Sequence, residues 1–430
     1  MENNRGLAVT TNSSAVIDSI NHFQEQILAS GQSGQLILEQ VQNHPDNLLL
    51  QTYSAVFYLY AQQLELRQLA EPHLLAAEKL LGKGNLREKM TFEAVKAWYR
   101  FDYNAAITIF TGLTALYPRD IMAAKLAEWI FYCAGQAYRA KDYLALCDQI
   151  ALVNQDNPHF IAMHSFAYEL CDLLPQAKKL AEQAIAMEKM TPWAHHTLAH
   201  AHLRSNQIEE GIRCLRTLQP TWDAIHSLMR GHNHWHLALF YLALRDEHTI
   251  LDLFSAISGT LPELPVEQVD AIALLWRMDM AGLPQNELLN KIAAKLGDNP
   301  LQLVTGFNTT HFVYCLARTS TAEPVLKAIY NGAEQMTPGY QRDLWLSVIL
   351  PACQAIVSYV NHDFQTACDL LEPIITRCPE MGGSDAQTEL YTQTCLACLL
   401  ALKKKDQAWN FFQKHLSHYR DTPLADFWFS

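Results

Sequence analysis

Apolar residues recur at helical spacing along most of the chain. Runs that place their apolar side chains on one helical face cover residues 123–138, 160–171, 193–203, 235–244, 269–280 and 307–317. Glycine and proline number only 17 each among 430 residues. A protein with many β-turns needs more of these two residues. The pattern therefore predicts an all-α protein.

The segments between these runs resemble one another. A mostly small residue recurs in them at positions 106, 146, 177 and 211, so that successive spacings are 40, 31 and 34 residues. A tetratricopeptide repeat has a period of about 34 residues, a small residue where its two helices cross, and a proline after the second helix. Prolines stand at the ends of the four segments, at Pro118, Pro158, Pro192 and Pro220.

The repeats predict how the chain is organised. A single helix hairpin cannot bury its apolar face alone, so successive hairpins must stack on one another. We expect residues 15–430 to form one domain of tetratricopeptide-like helix-turn-helix repeats, stacked in one solenoid or a partly closed superhelix. Residues 1–14 have no apolar period, and we expect them to form a mobile tail.

Charge and hydropathy exclude several classes of partner. With 44 acidic and 32 basic side chains, the net charge is −12, which argues against a nucleic-acid binder with a basic surface. The polar start lacks the apolar run of a secretory signal. Two uncharged stretches, 47–64 and 344–361, contain several polar residues or a proline, and buried helices explain them better than membrane spans. We expect a cytoplasmic protein with neither nucleic acid nor membrane as a partner.

The histidines are the main candidate for chemistry. Two pairs are spaced four residues apart, His196 with His200 and His232 with His236, so each pair lies on one helical face. The pairs are 36 residues apart, which is about one repeat. Continuing the period leads to Arg277 and His311. The spacing predicts a concave, ligand-binding strip, and its members are His196, His200, His232, Trp235, His236, Arg277 and His311.

Three interpretations of this strip remain open. The histidines can be structural and bonded to neighbouring helices, they can form a binding or acid-base site, or they can bind a metal. The zinc-protease motif has a glutamate directly after its first histidine, where this chain has Thr197 and Asn233. The ten cysteines are dispersed, apart from a lone pair at Cys395 and Cys398. We therefore expect no metal and no cofactor.

Several of these segments resemble the tetratricopeptide-repeat protein 38 family. The resemblance covers roughly residues 90 to 420 and rests on 193–200, the block 232–239, 274–277, His311 and the late segment 382–387. It implies an all-helical, soluble intracellular repeat protein with no firmly assigned general activity. The chain departs from the family after the sequence Gly-Gly-Ser, where Asp385 replaces the usual histidine. An activity that needs that histidine would be altered or absent here.

We expect a protein that binds a small molecule or a peptide in a concave groove lined by histidine and tryptophan. The first alternative is an enzyme that uses the same strip for acid-base chemistry, with His236 or His311 as the base and Asp385 orienting a histidine. The second is a scaffold that binds a protein partner on its convex face.

Overall fold

The computed structural model describes residues 1–259 and 261–430, and they confirm the all-α prediction. Throughout these ranges the chain forms helices and no β-strand, apart from an isolated bridge between Glu2 and Ala8. The chain divides into two compact units. Unit 1 comprises Met1–Leu198 and Pro220–Met229, and unit 2 comprises Ala199–Gln219 and Arg230–Ser430.

The first ten helices belong to unit 1. They are α1 (Ser14–Ala29), α2 (Ile37–Asn43), α3 (Leu48–Leu59), α4 (Leu64–Leu80), α5 (Leu86–Tyr99), α6 (Tyr103–Leu116), α7 (Ile121–Cys133), α8 (Ala140–Ile150), α9 (Pro158–Leu170) and α10 (Leu174–Met187).

Most of the remaining helices belong to unit 2, although α11 and α13 begin in unit 1. They are α11 (Pro192–Arg204), α12 (Ile208–Leu218), α13 (Ser227–Ala243), α14 (Glu247–Ile257), α15 (Pro265–Met280), α16 (Asn286–Ala293), α17 (Gly306–Thr319), α18 (Glu323–Gln335), α19 (Tyr340–Leu344), α20 (Leu350–Val360), α21 (Phe364–Leu371), α22 (Asp385–Ala401), α23 (Lys405–His415) and α24 (Pro423–Phe429). Short 3-10 turns lie at Gly34–Leu36, Ala151–Val153, Gln219–Ala224, Asn299–Leu301, Glu372–Ile374, Cys378–Met381 and Ser417–Tyr419, and a π-turn at Trp345–Ile349 joins α19 to α20.

The predicted helical runs coincide with α7, α9, α11, α13, α15 and α17. Two bounds differ by several residues: α13 begins at Ser227, before the predicted run 235–244, and α7 stops at Cys133 because Gly135 follows with a φ of +92°. Pro158 and Pro192 are the first residues of α9 and α11. A proline suits that position, since the amide hydrogen that it lacks would have no partner within the helix.

Helices that are neighbours in the chain pack in pairs, such as α3 with α4 and α9 with α10 in unit 1, and α20 with α21 in unit 2. Helix α15 is the most enclosed element of unit 2. It packs against α17 and α22, and nearly all of its side chains are buried. Polar residues on α15 therefore lie in the interior of this unit.

Residues 1–14, which we expected to form a mobile tail, make defined contacts within unit 1. Leu7 and Val9 are buried, and the guanidinium of Arg5 donates to the carboxylate of Asp156 at 2.9 Å. Two buried side chains are too few to produce a period in the sequence, so the pattern did not indicate these contacts. The mobility of the segment stays a prediction.

One continuous helical stretch among the described residues, Tyr340–Val360, is long and apolar enough to cross a membrane by length and composition. It carries Pro351, and 44% of its most apolar window is buried inside the protein. A core helix of a soluble protein meets the same criterion, so this stretch is weak support for a membrane span.

Candidate histidine site

Four helices of unit 2 bring their polar side chains together in its interior. The C-terminal part of α11 provides His200, α13 provides His232 and His236, α15 provides Asp270, and the first residue of α22 is Asp385. Because His232 and His236 are four residues apart, they project from the same face of α13. We call these five residues the histidine array.

One end of the array is a carboxylate-imidazole pair. Nδ1 of His232 lies 2.8 Å from Oδ2 of Asp270, and Nε2 of His232 lies 3.2 Å from Nε2 of His236. The carboxylate holds a proton on Nδ1 of His232, so Nε2 of that ring is the acceptor and His236 donates to it. Trp235 stacks on the His232 ring, with an interplanar angle of 8°. The orientation of His232 is therefore fixed by both a hydrogen bond and an aromatic face.

The other end is a second carboxylate-imidazole pair. Nδ1 of His200 lies 3.0 Å from Oδ1 of Asp385, while Arg204, one turn later on α11, donates to Oδ2 at 3.0 Å. Burial raises the pKa of Asp385, but the contacts with His200 and Arg204 outweigh it and hold that pKa below its ordinary value. The rings of His200 and His236 are 4.6 Å apart between centroids. The array thus runs from one carboxylate through three imidazoles to another carboxylate.

A turn and a helix cap place Asp385 at this end. Gly382 and Gly383 have φ values of +117° and +82°, which side chains with a Cβ rarely adopt. Ser384 then caps α22: its hydroxyl accepts from the amide of Gln387, whose side-chain oxygen accepts from the amide of Ser384.

Arg277 holds the start of α22 against α15. Its guanidinium is fully buried and donates to the carbonyl oxygens of Ala386 at 2.7 Å and Gln387 at 3.2 Å. It also lies over the ring of Trp235 at 5.1 Å. Burial lowers the pKa of Arg277. In this position Arg277 fixes the helix that carries Asp385, and its charge is satisfied by backbone carbonyls.

His311 lies on α17 in the same unit and packs against the aromatic rings of Trp276 and Phe307. Its Nδ1 lies 2.7 Å from the carbonyl oxygen of Phe307, and its ring is 6.1 Å from that of Trp276. Burial lowers the pKa of His311 to about 4; the hydrogen bond to Phe307 opposes this and the charge of Arg277 adds to it. A histidine with this pKa is neutral near pH 7.

His196 belongs to unit 1, where its ring packs against those of Phe166 at 4.6 Å and Trp193 at 5.4 Å. Within unit 2, six of the residues predicted from sequence lie close together: His200, His232, Trp235, His236, Arg277 and Asp385. Their function in binding or catalysis stays a prediction.

Asp270 and Arg204 are site residues that were not predicted from the sequence. A signal for each was present, because Asp270 is a charge within an apolar run, two helical turns before Arg277, and Arg204 follows His200 by four residues. The partners of both residues come from other helices, and the spacing along one helix did not reveal them.

A comparison with known protein families finds none that matches this chain. The resemblance to the tetratricopeptide-repeat protein 38 family therefore stays a prediction based on the segments quoted above.

Proposed function

We propose that this chain is a cytoplasmic tetratricopeptide-like repeat protein, related to the tetratricopeptide-repeat protein 38 family, that binds a small molecule or a peptide. In this proposal the hairpins stack in a solenoid or partly closed superhelix whose concave groove is lined by histidine and tryptophan. Residues at the aligned repeat positions support the repeat class, since Ala106 and Ala177 are fully buried. A side chain at Gly211 would collide with Phe240 of the next helix, as expected where two repeat helices cross.

The binding proposal is based on how far each side chain of the histidine array is exposed to solvent. His200 and His236 at its centre are 1% exposed. The side chains at its ends are partly open to solvent, at 16% for His232, 10% for Asp270 and 22% for Asp385. A ligand that reaches these ends meets donors and acceptors whose orientation is already fixed, which reduces the entropy lost on binding.

The test is a melting-temperature screen of the full-length protein against a panel of metabolites and short peptides. We expect a ligand that raises the melting temperature of the wild-type protein and of His234→Gln, but not of His236→Gln. His234 is a matched control, because it is a buried histidine on the same helix, bonded to the carbonyl oxygen of Arg230. A ligand that stabilises His236→Gln as strongly as the wild type binds elsewhere and would contradict the proposal.

Acid-base catalysis is the second candidate, and the paired carboxylates favour it. Asp270 and Asp385 each contact Nδ1 of a histidine, as the carboxylate of a catalytic triad does when it orients the imidazole base. If a ligand from the screen is turned over, Asp270→Asn should lower kcat with little change in KM and alter the pH profile. Equal losses from a variant in the core of unit 1, such as Trp98→Ala, would argue for binding alone.

The scaffold alternative has a distinct expectation. A protein partner bound on the convex face should be retained by His236→Gln, because none of the residues of the array then takes part in binding. Pull-down of one defined partner by both the wild type and His236→Gln would favour the scaffold.

A further inference from the structure

We propose that unit 1 contains a binding site for an arginine-glycine turn of a partner protein, and that residues 1–11 of the chain itself occupy this site when no partner is bound. Arg119, Asn154 and Asp156 form the centre of the site, and we call these three residues the arginine site. All three belong to unit 1. The inference therefore does not depend on the proposed function of the histidine array in unit 2.

The guanidinium of Arg5 makes a two-pronged contact with the arginine site. It donates to Oδ2 of Asp156 at 2.9 Å and to Oδ1 at 3.0 Å, and a third hydrogen bond joins it to Oδ1 of Asn154 at 2.7 Å. The hydrogen bond with Arg5 is the main reason that the pKa of Asp156 falls to about 2. Two parallel hydrogen bonds to one carboxylate require a planar guanidinium, and the ammonium of lysine does not provide them. The contact therefore selects arginine.

The orientation of Asn154 is fixed by the turns around it. Its side chain is fully buried, and Nδ2 donates to the carbonyl oxygens of Pro118 at 2.7 Å and Ile150 at 2.8 Å. Both amide hydrogens are thus used, and Oδ1 faces the guanidinium of Arg5 as an acceptor. A buried acceptor without a donor is unfavourable. This position therefore requires an occupant that donates a hydrogen bond.

Arg5 lies in a tight turn that the site also holds by its backbone. The amide of Gly6 donates to the carbonyl oxygen of Asn3 at 2.9 Å, which closes a β-turn with Arg5 in its third position. Arg119 donates from Nε to the carbonyl oxygen of Arg5 at 3.3 Å and from Nη2 to Asp156 at 3.1 Å. Gly6 has a φ of +73°, although a Cβ there would meet no atom within 4 Å. The backbone conformation of the turn therefore favours glycine directly after the arginine.

The residues after the turn are held by polar side chains at the start of α5. The carbonyl oxygen of Ala8 accepts from Asn85 at 3.1 Å and from Arg87 at 3.0 Å, and the amide of Thr10 donates to Glu88 at 2.8 Å. All three contacts are made with backbone groups of the segment, so they do not depend on its side chains. A different chain that carries an arginine-glycine turn can therefore make the same contacts.

Few apolar contacts anchor residues 1–11. The segment precedes α1, and the side chains that it buries are those of Asn3, Leu7 and Val9. Segments with few buried apolar contacts open at a lower free energy than the core of a protein. A partner with the same turn therefore competes with Arg5 for the arginine site, and its observed affinity is reduced by the fraction of sites that Arg5 occupies.

The experiment measures binding of a fluorescein-labelled peptide with the sequence of residues 1–13 to the full 430-residue chain, by fluorescence anisotropy. The variant Arg5→Glu places a carboxylate against that of Asp156, so the chain's own segment should leave the site. We expect the peptide to bind Arg5→Glu at least about tenfold more tightly than it binds the wild type. A peptide with lysine in place of its arginine should bind Arg5→Glu at least about tenfold more weakly than the original peptide does.

Two double variants serve as controls, and circular dichroism checks that each is folded. Adding Asp156→Asn to Arg5→Glu should abolish the gain in affinity, whereas adding Glu182→Gln, which neutralises an exposed carboxylate on α10, should retain it. Equal binding of the peptide to the wild type and Arg5→Glu would overturn the proposal, and so would undiminished binding to Arg5→Glu/Asp156→Asn.

Hydrogen exchange of the wild type tests the release of the segment without any substitution. The amides of Leu7, Val9 and Thr10 should exchange together and faster than the amides in the middle of α5, because the segment opens while the helix stays folded. Exchange of these three amides as slow as that of α5 would show that the segment does not leave the site, and would also overturn the proposal.

Discussion

Gly211 offers a test of how tightly α12 and α13 pack in unit 2. It lies in the first half of α12, and a Cβ at this position would meet Cζ of Phe240 on α13 at 2.5 Å and lie closer still to Cε1. The Phe240 ring is fully buried, so it cannot move without displacing other core side chains. Gly211→Ala should therefore strain this contact.

The expected change in the free energy of unfolding is the sum of two opposing contributions. Replacing glycine by alanine in a helix interior stabilises it by about 1 kcal/mol. Overpacking a well-packed core costs about 1–3 kcal/mol, and a contact this short with a buried ring lies at the upper end. We expect Gly211→Ala to destabilise the protein by about 2 kcal/mol. For a unit of roughly 200 residues, this lowers the melting temperature by about 4–8 °C.

The assay is thermal and urea unfolding followed by circular dichroism. Gly112→Ala is the matched control, since Gly112 lies within α6 and its Cβ would meet only Cε of Met90, at an ordinary 3.8 Å. The control should be stabilised by up to about 1 kcal/mol. Adding Phe240→Leu to Gly211→Ala should cost less than the sum of the two single changes. Equal stabilisation of Gly211→Ala and Gly112→Ala would refute the reasoning.

Three further predictions concern the site and its surroundings. The pKa of His311 in the folded state is about 4, below its ordinary value of 6.5. Between these two values the unfolded chain therefore binds more protons than the folded protein. The free energy of unfolding should fall by about 3 kcal/mol as the pH drops from 6.5 to 4. In urea unfolding at pH 7 and pH 4.5, His311→Gln should reduce this pH dependence of stability. An unchanged pH dependence would show that His311 is not its cause. Trp235→Ala removes a fully buried indole ring and should lower the free energy of unfolding by about 3–5 kcal/mol. His236→Gln should instead melt close to the wild type and lose ligand binding. Similar melting temperatures for the two variants would contradict these different roles of Trp235 and His236. Ser384→Ala removes the cap of α22, which should lower stability by about 1 kcal/mol. Urea unfolding of this variant at the same midpoint as the wild type would argue against a role for the cap.

The helical class of the fold was determined by local sequence. Apolar periodicity requires only neighbours three and four residues away, so it located α7, α9, α11, α13, α15 and α17 without any tertiary information. The ends of helices also depend on local chemistry, as Gly135 shows after α7 and Ser384 before α22. The apolar period did not predict the contacts of residues 1–14 with the rest of unit 1, because those contacts involve two apolar side chains and one arginine.

The histidine array shows where sequence stops being sufficient. The four-residue spacing of His232 and His236 by itself places both on one face of α13. The pairing of His232 with Asp270, and of His200 with Asp385, joins residues that are 38 and 185 positions apart. These distances depend on how α11, α13, α15 and α22 pack, and side-chain spacing within one helix carries no information about the register of another. Sequence therefore determined which residues could share a helical face, and only the tertiary structure decided which carboxylate each imidazole contacts.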